Sequence, residues 1–267
     1  MNKNILGESP IWNYFDNKFY WVDILDKKIK SYDDKNVKEF HLDKMPTCLA
    51  LIDGNQIFTS VEDGLGIYDL RNESFNYRCK IDASSVRFND GKCDRDGNFY
   101  IGTMDRLEKS YIGSIYKYYN NYLEKVVSNT GISNGISFST DNKIMYYSDS
   151  LSGNIYSRIN SSKNIECKDN IIYSYNGCSP DGSTVDNSDR YYSCLWGGSR
   201  IDIFKDFNLE SSVNLDVKYP TCCCFGGYDM NKLFVTSASV KDNSGKNGDV
   251  VIMNMDFIGV KEISVKI

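Results

Sequence analysis

The sequence predicts an all-β, six-bladed β-propeller of four antiparallel strands per blade, spanning residues 1–267 as one domain. Three observations predict it. A two-strand unit recurs six times, the recurrence has the length of a propeller blade, and short apolar strands alternate with polar turns with no sustained helical periodicity.

The unit is a polar turn, an apolar strand, a second turn that usually contains glycine, and a second strand. It first reads Asp16 to Asp23, DNKFYWVD, followed by Lys28 to Tyr32. It returns at Gly54 with Gly66, at Asp96 with Gly113, at Asp141 with Gly153, at Ser188 with Arg200, and at Met230 with Gly248. The starts at 16, 54, 96, 141, 188 and 230 lie 38, 42, 45, 47 and 42 residues apart. A four-stranded blade takes about 40–45. A further strand precedes each turn, as at residues 11–14. Another follows each unit, at 37–42, 75–81, 123–127, 171–175, 212–217 and 260–267. No Pro/Ser-rich linker interrupts the series.

Composition narrows the function. With 20 Tyr, 13 Phe and a hydrophobic fraction of 41%, the chain supplies a large core. A formal net charge of -5 with both signs interspersed offers no basic face for nucleic acid. No charged-then-apolar leader opens the sequence, and no apolar run approaches the ~18 residues of a membrane span. A cytoplasmic protein without a membrane partner is expected. Nine cysteines without paired spacing fit a reduced compartment. Cys222-Cys223-Cys224, with no C-x-x-C pair beside it, reads as core packing. The one histidine, His41, lies in a strand, which excludes a His-based triad and a multi-His zinc site.

The strand before each unit begins at Glu8, Thr47, Asn89, Asn134, Asp181 and Thr221. First strands line the channel of a propeller, so these positions form one ring. Asn-Gly and Asp-Gly are ordinary turn dipeptides one at a time. As a ring they gather carboxylates that repel unless a cation or a proton joins them. Oxygen-only donors suit a hard divalent cation, Ca²⁺, Mg²⁺ or Mn²⁺, and carboxylates also take Zn²⁺. Arg87 is the only cation at that edge of any repeat start.

The motifs LGESPIW from Leu6, RFNDGKCD from Arg87, ISNGISFS from Ile132, SPDGSTVD from Ser179 and LWGG from Leu195 occur in that order along the whole chain. Together they resemble the family of regucalcin (senescence marker protein), the gluconolactonases and the luciferin-regenerating enzymes. The resemblance implies one divalent cation in the channel and hydrolysis of small sugar lactones. By motif it implies Glu8, Asn134 and Asp181 as metal ligands, Asp181 also as catalytic base, and Arg87 and Asn89 as substrate contacts. Glu108, in the loop after Thr103-Met104, is a further candidate substrate contact. A related hydrolase of another lactone, ester or organophosphate is the alternative, and a non-catalytic Ca²⁺-binding propeller is the third reading. Asp23, Asp149 and Asp186 also sit in family-like motifs and read as turn or strand-end hydrogen bonders. One departure stands out: where members carry a strand before Gly-Glu-x-Pro, only five residues precede Leu6. The alternation in residues 260–267 therefore predicts that this tail supplies the outer strand of the last blade.

Overall fold

Six antiparallel sheets stand around one axis in the computed structural model, which describes residues 3–160 and 168–267. Each sheet is built from strands consecutive in the chain. Five have four strands and the sixth has three among the described residues. The innermost strands are Gly7–Asn13, Pro46–Leu51, Val86–Cys93, Ser133–Phe138, Ser179–Val185 and Pro220–Gly226, taken here as blades 1 to 6. Burial falls outward. Pro46–Leu51 and Ser133–Phe138 are buried throughout, whereas the outer Asn208–Asn214 is almost wholly exposed. A strand with neighbours on both faces has no polar side to show, so its sequence is continuously apolar or small.

The recurring aromatic of the repeat unit is what joins the blades. Phe19 stacks on Phe234 with ring centroids 4.5 Å apart, linking blade 1 to blade 6. Phe58 meets Phe99 edge-on at 5.2 Å, and Tyr146 stacks on Tyr191 at 4.9 Å. Each pair comes from the second strands of adjacent blades. Neighbouring positions of the second strand thus face opposite seams, and these three seams are each closed by an aromatic from either side. Cys223 and Cys224 are buried in the same core, and every cysteine among the described residues is a free thiol, as core packing requires; Cys167 lies outside them.

The N-terminal segment laces blade 6 to blade 1. Asn4 N–H donates to Gly248 O at 2.8 Å, and Ser239 N–H donates to Ile5 O at 3.1 Å. Ile5 and Leu6 donate their N–H groups to the Asp23 carboxylate, which also accepts from Lys30 Nζ at 3.0 Å. Asp149 accepts from Gly131 and Ile132 N–H, and Asp186 from Ser188 and Arg190 N–H. All three acids are strand-end acceptors, as the sequence indicates.

The C-terminal tail departs from expectation. The third strand of blade 6 is Val251–Asn254, and residues 260–267 form no strand beside it. Gly259 N–H donates to Met230 O, after which the chain crosses to the far blades. There Val265 N–H donates to Leu51 O and Lys266 N–H to Gly97 O, both at 2.8 Å. Glu262 pairs with Lys92 at 3.2 Å. Leu51 ends the inner strand of blade 2, and Gly97 follows the end of the inner strand of blade 3. The tail thus lies across the end of the axis opposite the ring positions. Its alternation comes from Val265, buried against the Cys48 and Phe58 cluster, rather than from edge pairing.

Every inner strand breaks register at its ring position. The shifts fall between Glu8 and Ile11, Pro46 and Cys48, Asn134 and Ser137, Pro180 and Ser183, and Pro220 and Cys223. In blade 3, Phe88 faces Thr103 while Gly91 faces Ile101. A β-bulge places extra residues opposite its partner and re-aims their side chains. The Asn-Gly and Asp-Gly pairs are therefore bulges inside strands rather than turns, and their glycines are forced by space. Gly135 has φ +57°, and a Cβ on Gly182 would stand 2.4 Å from Cys222 Sγ and 2.9 Å from Cys222 Cα. Gly182→Ala is expected to cost about 1–3 kcal/mol through overpacking. A thermal midpoint equal to that of the wild type would show that the seam between blades 5 and 6 yields freely.

Candidate functional site

The bulges of blades 1, 3, 4 and 5 bring polar side chains to the same end of the axis. A hydrogen-bonded chain fixes three of these blades. Arg87 donates to Asn89 Oδ1 at 2.9 Å and to Phe88 O at 2.9 Å. Asn89 Nδ2 donates to Asn134 Oδ1 at 2.9 Å and to Ser133 O at 3.0 Å. Asn134 Nδ2 donates to Ser150 Oγ at 2.8 Å, and Ser150 Oγ donates to Pro180 O at 2.6 Å, one residue before Asp181. The amide of Asn134 is thereby oriented, with its oxygen shared with Asn89 and a second lone pair remaining on that oxygen.

Electrostatics complete the picture. Burial, then the nearby Asp90 carboxylate, raises the Glu8 carboxyl to about 8, against the opposing Ser9 N–H and Arg87. Burial also lifts Asp181 well above the ordinary carboxylate range, with Glu8 and Asp90 adding to it. Asp90 is raised by burial too, but it accepts the Ile136 N–H at 3.0 Å and faces Lys92. Burial lowers the Arg87 guanidinium to about 10, despite the attraction of Glu108 and Glu8. Asp90 thus disfavours charge on Glu8 and Asp181, Glu8 disfavours it on Asp181, and a shared cation is the simplest remedy.

The donor set fits a hard divalent ion. Glu8, Asp181 and the Asn134 amide offer oxygen only, and the two carboxylates are the pair whose repulsion a 2+ charge would cancel. Among the described residues no group of three or more His, Cys, Asp or Glu side chains forms a metal cluster. A third donor beside Glu8 and Asp181 would therefore be an amide oxygen, as Asn134 offers.

Other positions behave differently. Thr47 and Thr221 close the ring without facing a ligand: Thr47 Oγ1 lies 2.5 Å from Ser60 Oγ, and Thr221 Oγ1 donates to Gly7 O at 2.5 Å. Glu108 is exposed on the loop 106–112 at φ +57°, and it reaches Arg87 through its field rather than through a bond. Asp90 is the residue that sequence reasoning left unassigned. Strand alternation places it on the face opposite Asn89, and only the bulge lets Asn89 and Asp90 both serve the axis. The signal lay in Asn89 being followed at once by an acid, Asp90, which no other ring position has.

The chain matches the family model described as SMP-30/Gluconolactonase/LRE-like region over residues 6–239. Bovine regucalcin is 31% identical over 258 residues, covering 87% of this chain and 83% of the relative. A Pseudomonas putida protein named 6-deoxy-6-sulfogluconolactonase is 25% identical over 244 residues, covering 88% and 84%. Among solved structures, a calcium-binding regucalcin from Agrobacterium tumefaciens superposes with a TM-score of 0.94 at 22% identity, over 100% of this chain and 95% of that one. That likeness bears on the fold, and the family match carries the assignment: the chain belongs to the SMP-30/gluconolactonase/LRE-like family.

Proposed function

We propose that the protein is a divalent-cation-dependent hydrolase of sugar lactones. Glu8, Asn134 and Asp181 hold the cation, Arg87 and Asn89 hold the sugar, and Asp181 handles the proton of the attacking water. The observation that carries this reading is the burial of Glu8 and Asp181 at one end of the axis, with Glu8 adding to the rise at Asp181, beside an amide already oriented by Asn89 and Ser150. Relatives named for gluconolactone hydrolysis support the substrate class.

When bound, the cation polarises the lactone carbonyl and offsets the negative charge that grows on its oxygen. The protein's own residues supply the rest. Asp181 accepts a hydrogen bond from water and takes its proton as the water oxygen bonds to the carbonyl carbon. The ring carbon–oxygen bond then breaks, the ring oxygen takes up a proton, and the open-chain hydroxy acid leaves. Arg87, held by Asn89 and the Phe88 carbonyl, keeps its remaining N–H donors for sugar hydroxyls. Asn89 locks Arg87 and Asn134 in one register, so sugar binding and the cation donors are mechanically joined.

The test is acid release from glucono-1,5-lactone above the spontaneous rate. The chelated protein is expected to be inactive, and one of Ca²⁺, Mg²⁺, Mn²⁺ or Zn²⁺ to restore turnover. No excess rate with any of these cations, on any aldonolactone, would overturn the proposal.

A further inference from the structure

Beside the ring, on the same end of the axis, a cleft of about 520 Å³ opens between blades 4, 5 and 6. Its inner edge is Ser150, the residue that accepts from Asn134 and donates to Pro180 O. The cleft thus adjoins the candidate cation site through Ser150. Ser179, two residues before Asp181, lines the same edge. The outer wall is Trp196 against Tyr219, with ring centroids 5.0 Å apart and tilted by 48°. Gly177 and Gly197, at φ +91° and +78°, have nothing within 4 Å of where a Cβ would stand, so a ligand can approach the backbone there.

The charge of this cleft has one sign. Among the described residues, Lys218 is the only charged side chain that lines it, with its ammonium 5.4 Å from the Tyr219 ring centroid. Asp242, held by Ser244 N–H at 2.9 Å, is the acid whose carboxyl also feels the Lys218 charge, and the other acids nearby are already engaged. Asp202 accepts from Arg200 Nε at 2.8 Å, Tyr175 OH at 2.9 Å and Ser212 Oγ at 2.6 Å, and Asp216 pairs with Lys246 at 2.7 Å. An ammonium facing an otherwise neutral wall of hydroxyls, backbone and aromatic rings selects an anion.

We propose that this cleft is a subsite for an anionic substituent on the sugar chain, a phosphate, sulfonate or carboxylate carried away from the lactone carbonyl. The inference rests on the lactonase reading. The lactone ring sits at Glu8, Asn134 and Asp181, the chain passes Ser150, and the acidic group meets Lys218 between Trp196 and Tyr219. Lys218 is then a specificity-determining residue rather than a catalytic one.

Calorimetric binding of the hydrolysis products tests this without turnover. With Mg²⁺ present, 6-phosphogluconate is expected to bind about tenfold more tightly than gluconate, the gain of one charge-assisted hydrogen bond. Lys218→Met, which keeps the side-chain stem, should reduce that ratio to near one, and Trp196→Ala should weaken both ligands. Glucarate, with a carboxylate in place of the phosphate, separates a general anion site from a phosphate site. Equal affinities for gluconate, 6-phosphogluconate and glucarate, or a ratio unchanged by Lys218→Met, would overturn the subsite. An absence of lactonase activity alongside the expected binding ratios would instead overturn the hydrolase reading and leave the anion site standing.

Discussion

Asp181→Asn is expected to lower kcat for aldonolactone hydrolysis by about 10²–10⁴-fold, the range supplied by a positioned proton acceptor. The same substitution should make the cation-free protein more stable. Glu8 has an ordinary value of 4.5 and is raised to about 8 in the folded chain. Between these two values the folded protein holds a proton that the unfolded chain has released, so stability falls as pH rises through that window. Asp181 is raised in the same direction by burial and by Glu8. Chelated wild type should therefore melt at progressively lower temperature as pH is raised from about 5 to about 8. An added divalent cation should flatten that slope, because it stabilises the ionised pair. The asparagine removes one acid from the trio of Glu8, Asp90 and Asp181, so its slope should be shallower. Thermal melts at several pH values, with and without chelator, report all of this. A chelated wild type whose midpoint is flat or rises with pH would contradict the charge crowding on which the site rests.

How much of this was legible in the sequence depends on whether a feature repeats. Phe19, Phe99 and Tyr191 occupy one position of the unit and Phe58 and Phe234 the next, because adjacent strand positions face the two seams that flank each blade. Six copies of that constraint give a period that a single sequence displays. Glu8, Asn134 and Asp181 were legible for the same reason, as they occupy one position in different copies. Asp90 was not, since its role depends on a local register break, and a bulge has no signature beyond glycine, which also marks turns. The tail was misread because an edge strand and a segment laid across the channel end both show one buried face. Hydrophobic alternation cannot tell them apart. What decides is a long-range ion pair, Glu262 with Lys92, and nothing local to the tail announces it. Glu108 illustrates the opposite limit: its place in the loop after Thr103-Met104 made it a candidate contact, and the structure leaves it exposed on that loop.

Glu262→Ala is expected to destabilise the protein by about 3–5 kcal/mol, the cost of leaving one member of a buried ion pair alone. The side chains of Lys92 and Glu262 are only 14% and 11% exposed, so water cannot take over the lost partner. Lys92 also donates to Ser183 O at 3.2 Å, on the inner strand that carries Asp181. Burial works against its ammonium, but the Glu262 carboxylate, with Asp90 behind it, keeps the pKa above the ordinary lysine value. Lys92→Met should cost a similar amount by stranding Glu262. The double variant Lys92→Met/Glu262→Leu should recover most of the loss, because an apolar pair of similar volume replaces the charges without leaving either unpaired. Urea denaturation of the four proteins measures the coupling. If residues 260–267 were instead an exposed edge strand of blade 6, Glu262→Ala would fall within about 0.5 kcal/mol of the wild type, as surface substitutions do. The two placements of the tail therefore differ in one measurable quantity. A large and non-additive loss is possible only if the tail closes the axis by pairing with Lys92, on the strand that also carries Arg87, Asn89 and Asp90.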